Sequence, residues 1–360
     1  MPPSRNPLRG DQLPRAVENL LAANDGLVRV GEGISRQPAQ QLCSRGLLAR
    51  LAQGAYVDPV VYQRLSDWEQ FALASRAFVG SGLPGSYLAG WSAAPVNGLP
   101  TMGRPPRLPL VVRPGTRLSG VTKCAYGRTR VEPIPENRLR HYAGVPATTV
   151  GHAACTIALS PRMPDALAVA DQALRRGASL TGCIKDFRGR AGIERARWVA
   201  DHASGLAESP LESLGRFAAY LGGLPVPVPN AWVGDTKPRF RLDGLWPYHW
   251  AGFEADGAIK YNDRPDAARI VADQQEREWF LRQKLSLDLC RYTWQHTRGN
   301  PDELASRFAG LLAANPMRAE PIRWWKHDPD RGPFEPLPED WPSPHPQDAR
   351  LPPHWWTDLR

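Results

Sequence analysis

The sequence predicts an α+β chain of several domains, and three observations carry that expectation. The 360 residues, 42% of them apolar, are too many for one hydrophobic core and enough for two or three. The 37 Pro and 32 Gly cut the chain into short elements. Helical and strand periodicities then sort into separate stretches: a winged helix-turn-helix at the N-terminus, a middle α/β region, and a C-terminal core that opens as a helix followed by two strands at 207–261. The expected boundaries are 1–64, 65–200, 201–320 and a Pro/Trp-rich tail at 321–360.

Composition removes several classes of function. The cysteines (Cys43, Cys124, Cys155, Cys183 and Cys290) are odd in number and far apart, with no C-x-x-C. That pattern excludes a disulfide framework and a zinc ribbon and points to a reducing, cytoplasmic setting. The opening MPPSRNPLRGDQLPR is charged without an apolar run, and no stretch of 18 apolar residues occurs, so neither export nor a membrane span is expected. No P-loop, H-E-x-x-H or G-x-S-x-G is present, and the Gly31-Glu32-Gly33 turn lacks the third glycine of a dinucleotide fingerprint. The formal net charge is +9 and uneven: residues 101–140 hold nine Arg and Lys, among them Arg113 and Arg117, against Glu132 and Glu136. A concentrated basic segment suits a polyanion such as DNA, although solubility alone also accounts for excess arginine.

In chain order, Leu13, Val17, Leu20 and Leu21 follow helical spacing, and Gly26 ends that helix. Ser35 is placed to cap a second helix, RQPAQQLCSR, in which Pro38 falls in the first turn, where a missing N–H is harmless. One face of it is Ala39, Leu42 and Cys43; the other is Arg36, Gln37, Gln40, Gln41 and Arg45. LLARL and AYV then read as two short strands around Gln53-Gly54. Helix, turn, helix, hairpin is the order of a winged helix, whose second helix lies in a DNA major groove, so Arg36, Gln40 and Arg45 are candidate DNA contacts. A small helical cap with a polar face is the alternative.

Residues 65–200 say less. DWEQFALASRAFV reads as a helix, YLAGWSAAPVNGLP as a helix running into a turn, LPLVVRP as a strand, ALAVADQALRRG as a helix stopped by Gly177, and 189–204 as a further helix. His141 and His152 stand alone and read as surface or hydrogen-bonded residues.

Chemistry concentrates in 207–261. Ser209 caps a helix with Pro210 at its first position and Glu212 at its third, a capping box that gives Glu212 a structural role whatever else it does. Leu211, Leu214, Ala218 and Leu221 make the buried stripe, and the segment to 239 reads as a loop. FRLDG and WAGFEADG are strands. Glu254 and Asp256 share a face, and if the strands pair, Asp243 approaches Glu254. Carboxylates so placed suit a hard divalent cation, Mg²⁺ or Mn²⁺, which acidifies a bound water; the metal candidates are Asp243, Glu254 and Asp256. Lys260 is placed to stabilise a developing phosphorane or orient that water. Its alternative role is a surface salt bridge. A polar helix (265–284), a strand (LSLDLCRYTW) and a helix (PDELASRFAGLLAAN) follow. The last forty residues hold ten Pro and five Trp and show no periodicity. They read as a disordered or loosely docked tail and not as a domain, with Trp324-Trp325 and Trp355-Trp356 as candidate anchors.

From about Leu13 to Met317 the chain resembles actinobacterial proteins that join an AbiEi-type antitoxin N-terminal region to a Vsr-like, PD-(D/E)XK-type nuclease domain. Three blocks carry the resemblance. The first is GLVRVGEGIS with LCSRGLLARLAQGAYV. The second is SAAPVNGLP with GVPATTVGHAACTIA and ADQALRRG. The third, most specific, is ESPLES, RLDGLWP, FEADGAIKY, QEREWFLR and CRYTW. It implies a restriction-endonuclease-like core in which Asp243 and Glu254 bind metal and Glu212 is the helix carboxylate. Two departures stand out. Asp256 occupies the position where the wider superfamily has Lys, with Lys260 as its migrated replacement, and GHAACTIA lacks the early Arg and late Asp of related chains. Type IV antitoxins similar to the N-terminal part are DNA-binding autorepressors that oppose a nucleotidyltransferase-type toxin. The resemblance thus implies either a Mg²⁺-dependent DNA endonuclease or a non-catalytic regulator.

Overall fold

The computed structural model describes residues 12–257, 267–297 and 301–356. The fold is α+β and multi-domain. One compact unit is built from the described residues through Ile157 together with Ser179–Arg190; the other takes Ala158–Ala178 and the chain from Ala191 onward.

The first unit opens with α1 (Arg15–Ala23), β1 (Val28–Arg29), α2 (Arg36–Ser44), β2 (Ala49–Ala52) and β3 (Ala55–Val57). The three strands form an antiparallel sheet in the order β1-β3-β2. Val17 and Leu21 of α1, Ala39 and Leu42 of α2, and Val28, Leu48 and Tyr56 close one core. The spacing of apolar residues therefore places these helices as expected, and β1 is added to the anticipated hairpin. Ser35 caps α2 without a side-chain hydrogen bond. Next come α3 (Pro59–Arg64) and α4 (Asp67–Ser81), the latter entered through a Ser66–Glu69 capping box.

A six-stranded mixed sheet, in the order β6-β7-β5-β4-β9-β8, fills the rest of this unit. Its strands are β4 (Tyr87–Leu88), β5 (Leu110–Pro114), β6 (Thr122–Lys123), β7 (Arg128–Glu132), β8 (Leu139–Tyr142) and β9 (Val145–Thr148). The helix expected over 87–100 is replaced by β4 and a 3-10 turn at Gly90–Ser92. Leu88 is fully buried and pairs with both β5 and β9, and Gly90, at φ +53°, turns the chain out of helical geometry. After α5 (Val150–Ala158) the chain gives α6 (Met163–Arg175) to the second unit. It contributes α7 (Leu180–Ile184) to the first and then continues into α8 (Ile193–His202) of the second.

The boundary expected at 200 thus falls elsewhere. α6 packs on α9 (Pro210–Leu221) through a buried ion pair, Asp171 to Arg216 at 2.8 Å, so it shares the second unit's core. β10 (Val228–Val233), β11 (Phe240–Trp246), β12 (Ala251–Ala255), α10 (Ala267–Trp279), β13 (Asp288–Tyr292), α11 (Trp294–Thr297), α12 (Pro301–Ala314), β14 (Trp324–Asp328) and β15 (Gly332–Phe334) complete it. α10 runs on into a π-helical turn, Phe280–Lys284. The sheet order is β13-β12-β11-β10-β14-β15. Neighbouring residues of β11 feed different cores. Trp246 joins Phe253, Tyr292 and Phe308 beneath α9 and α12, whereas Leu245 joins Phe280, Leu281 and Trp324. Helices therefore cover both faces, giving three layers.

The segment read as a loop contains β10, a strand inside the sheet; prolines in VPVPVPN hid it. At Pro229 β10 has a neighbour on one side only, because β14 pairs just with Trp232 and Val233, and such an edge tolerates a missing N–H. The tail is not loosely docked either. Trp324 and Trp325 are buried in β14, and Trp355 packs on Phe217 with ring centroids 5.5 Å apart and the planes tilted by 43°. Burial of large indoles outweighs the local proline content.

Candidate active site

The acidic residues of the second unit are brought together by α9, β11 and β12. α9 starts at Ser209, whose Oγ accepts from the Glu212 amide at 3.2 Å. Only half of the expected capping box forms. The Glu212 carboxylate bypasses the Ser209 amide, and its Oε2 accepts from the Glu208 amide at 2.8 Å and from Asn230 Nδ2 at 2.9 Å. α9 lies close to the sheet because position 215 is glycine: a Cβ there would stand 2.2 Å from the Tyr292 hydroxyl, which itself donates to the Leu211 carbonyl at 2.8 Å. This approach brings Glu212, 6% exposed, onto β10 and β11.

Asp243 lies on β11, one residue before the ladder pair Gly244–Phe253, so it stands next to Glu254 across the two strands. Its Oδ2 accepts from the Ala255 amide at 2.7 Å. Burial pushes the Asp243 carboxyl up to about 6; the Ala255 amide opposes the shift and the Glu212 charge adds to it. Burial likewise pushes Glu254 up to about 7, against the pull of Arg277 and with help from Asp243 and Asp256. Arg277, on α10, is 2.5 Å from Glu254 Oε1 and also donates to the Arg241 carbonyl. Asp256 faces Arg291 at 3.6 Å. Lys260 lies outside the described residues.

Among the described residues, no three His, Cys, Asp or Glu side chains are gathered into a metal-holding group, so Asp243, Glu254 and Asp256 do not form the expected trio. The physical reason is that Glu254 and Asp256 are each drawn to an arginine. Glu212 and Asp243 lie close enough for their charges to interact, as do Asp243 and Glu254. Mg²⁺ keeps several waters and needs only one or two carboxylates, so this all-oxygen pair fits a hard divalent cation.

The N-terminal candidates are placed as follows. Arg36, Gln40 and Arg45 are exposed on the polar side of α2 or at its end, opposite buried Ala39 and Leu42. The basic segment is less available than its charge suggested. Arg130 and Arg190 both bind the buried Glu132 carboxylate, at 2.6 and 2.5 Å, Arg138 binds Asp186 at 2.8 Å, and Arg128 donates to the Leu108 carbonyl. Arg117 is exposed and Arg113 half-buried. His152 is buried against Phe187, 4.7 Å between ring centroids, with its pKa depressed to about 3 by burial and by Arg190, Arg138 and Arg130.

Two residues around the carboxylates carried no signal in the sequence: Asn230 inside a proline-rich run, and Arg277 in a helix rich in alternating charges. No family model matches the chain. Two Mycobacterium tuberculosis proteins, uncharacterized protein MT2308 (strain CDC 1551 / Oshkosh) and uncharacterized protein Rv2248 (strain ATCC 25618 / H37Rv), are each 31% identical over 180 residues, 49% of this chain. The alignment spans 65% of the length of these relatives. The crystal structure of the RV2827C protein from Mycobacterium tuberculosis is similar over 55% of this chain and 78% of that one, at 18% identity and a TM-score of 0.31, too slight a likeness to carry an argument.

Proposed function

We propose that the second unit is a divalent-cation-dependent phosphodiesterase domain and that the first unit binds DNA. What supports the reading is that Asp243 on β11 lies within electrostatic reach of Glu212 on α9 and of Glu254 on β12, where burial first and the neighbouring carboxylates second raise the pKa values of Asp243 and Glu254. Asp243 and Glu212 would hold Mg²⁺ or Mn²⁺, with Glu254 and Asp256 as further acidic groups at the same strand end. A bound ion of this kind polarises a phosphoryl oxygen and acidifies a coordinated water. Glu254, its pKa pushed up to about 7 by burial, would hold or release a proton there. Arg277 supplies a positive charge beside Glu254 and would take the part expected of Lys260, stabilising a developing phosphorane.

In the first unit, Arg36, Gln40 and Arg45 would meet base edges and phosphates, and Arg113 and Arg117 phosphates alone. The family resemblance adds a nucleotidyltransferase-type toxin as a genetic partner. One observation favours a second reading, a DNA-binding autorepressor without catalysis: Glu254 and Asp256 already face arginines. A plasmid-nicking assay with Mg²⁺, Mn²⁺ and EDTA separates the two. Nicking that needs the ion and disappears in Asp243→Asn supports the hydrolase; DNA binding with intact plasmid under every condition supports the regulator.

A further inference from the structure

Asn230 sits in the interior of β10 with φ +51°, a left-handed backbone that few side chains adopt. The register pairs Pro229 with Gly244 and Ala231 with Leu242, so Asn230 stands opposite Asp243. Its carboxamide is fully buried, and Nδ2 donates to the Leu206 carbonyl at 2.6 Å and to Glu212 Oε2 at 2.9 Å. Both neighbours are acceptors, which fixes the amide orientation: a flipped carboxamide would set oxygen against oxygen twice. The carbonyl Oδ1 is then left buried with no hydrogen-bond partner. Ionised carboxylates only accept, so Glu212 and Asp243 in that form leave this buried acceptor unsatisfied.

We propose that Asn230 Oδ1 is the third oxygen ligand, with Glu212 and Asp243, of a hard divalent cation of the Mg²⁺, Mn²⁺ or Ca²⁺ class. The proposal rests on reading these carboxylates as a cation site and changes its composition: the ion lies on the Glu212 side of Asp243, between α9, β10 and β11, away from Asp256. Carboxylates and amide carbonyls are the ligands such ions take, and a neutral amide completes the shell without a third buried negative charge. The same carboxamide holds Glu212 through Nδ2, so one residue both orients a ligand and serves as one.

The test is calorimetric titration of the full chain with Mn²⁺, comparing the parent with Asn230→Gly and Asp243→Asn. Glycine accepts φ +51° while deleting the carboxamide. Outer-shell changes already alter metal affinity by about ten- to a hundredfold, and loss of a direct ligand belongs at the upper end of that range. The expected result is measurable binding by the parent, little by Asp243→Asn, and a loss of about that size in Asn230→Gly. Equal affinity in the parent and Asn230→Gly, with Asp243→Asn impaired, overturns the Asn230 assignment and leaves the cation site standing. No binding by the parent overturns both. Should Asn230→Gly fail to fold, a Mn²⁺-soaked crystal of the parent decides. An anomalous peak at bonding distance from Asn230 Oδ1, Glu212 and Asp243 supports the proposal, and a peak held by Glu254 and Asp256 alone contradicts it.

Discussion

Asp243 on β11 reaches the next strand through its side chain, Oδ2 accepting from the Ala255 amide at 2.7 Å. This bond fixes one carboxylate oxygen beside Glu254, and several expectations turn on it.

Glu254 and Arg277 form the best-defined ion pair at the site, at 2.5 Å with the Glu254 side chain 10% and the Arg277 side chain 26% exposed. Removing the arginine leaves a carboxylate buried without its partner. Arg277→Gln should destabilise the chain by about 2–3 kcal/mol in urea denaturation, and Glu254→Gln in the same background should restore much of the loss. An additive pair of losses in that double-mutant cycle would show the two side chains to be uncoupled.

Glu212 accepts two hydrogen bonds through a single oxygen, a pattern glutamine can copy with its carbonyl. Glu212→Gln should therefore stay within about 1 kcal/mol of the parent in stability while losing nuclease activity and Mn²⁺ affinity. Unchanged activity would confine Glu212 to a structural role.

Asp171 and Arg216, buried at 2.8 Å between α6 and α9, provide a contrast away from the carboxylates. Arg216 also donates to the His202 carbonyl at 2.6 Å. Arg216→Met should lower stability by about 3–5 kcal/mol, because Asp171 is left buried and unpaired, and Asp171→Asn in addition should recover part of it. Thermal or urea unfolding reads both.

His152 sets a pH dependence of known sign. Its folded pKa of about 3 lies below the ordinary histidine value, so the unfolded chain binds a proton that the folded chain refuses. The contribution to stability is complete above about pH 6.5 and is lost as pH falls from there toward 3. His152→Phe, which keeps a ring against Phe187, should flatten the fall in melting temperature over that window. An unchanged slope would remove His152 as its source.

Salt dependence separates contacts to phosphate from those to bases. Arg117→Ala should make the fall of log affinity with log salt shallower by about one unit, for any DNA sequence. Gln40→Ala should weaken a preferred site by about 1–3 kcal/mol and leave random DNA little changed. Arg130→Ala should act through folding instead, since its guanidinium binds Glu132. Anisotropy titrations that show no salt dependence would remove the first unit as a DNA reader.

These residues also mark how far the sequence is legible. Ser209, Pro210 and the stripe from Leu211 to Leu221 announce α9, and the alternation around Asp243 and Glu254 announces β11 and β12, because caps and periodicities are local. β10 was hidden because proline is disfavoured in a strand as a local preference, and only pairing with β11 overrides it. The ligand role proposed for Asn230 and the partner role of Arg277 depend on contacts 18 and 23 residues away in sequence, which no spacing rule reports. At 101–140 the surplus of arginine is visible in sequence, whereas the internal pairing of part of it, as with Arg138 and Asp186, is not.

Carboxylates around Asp243 are proposed to bind a divalent ion for phosphodiester hydrolysis. The most direct measurement is the cleavage rate of supercoiled plasmid by the full chain at saturating Mn²⁺, for the parent and for Asp243→Asn at matched DNA binding. The expected result is cleavage by the parent that EDTA abolishes, and a rate at least about a hundredfold lower in the variant. Equal rates in the two proteins, or cleavage that persists in EDTA, would contradict it.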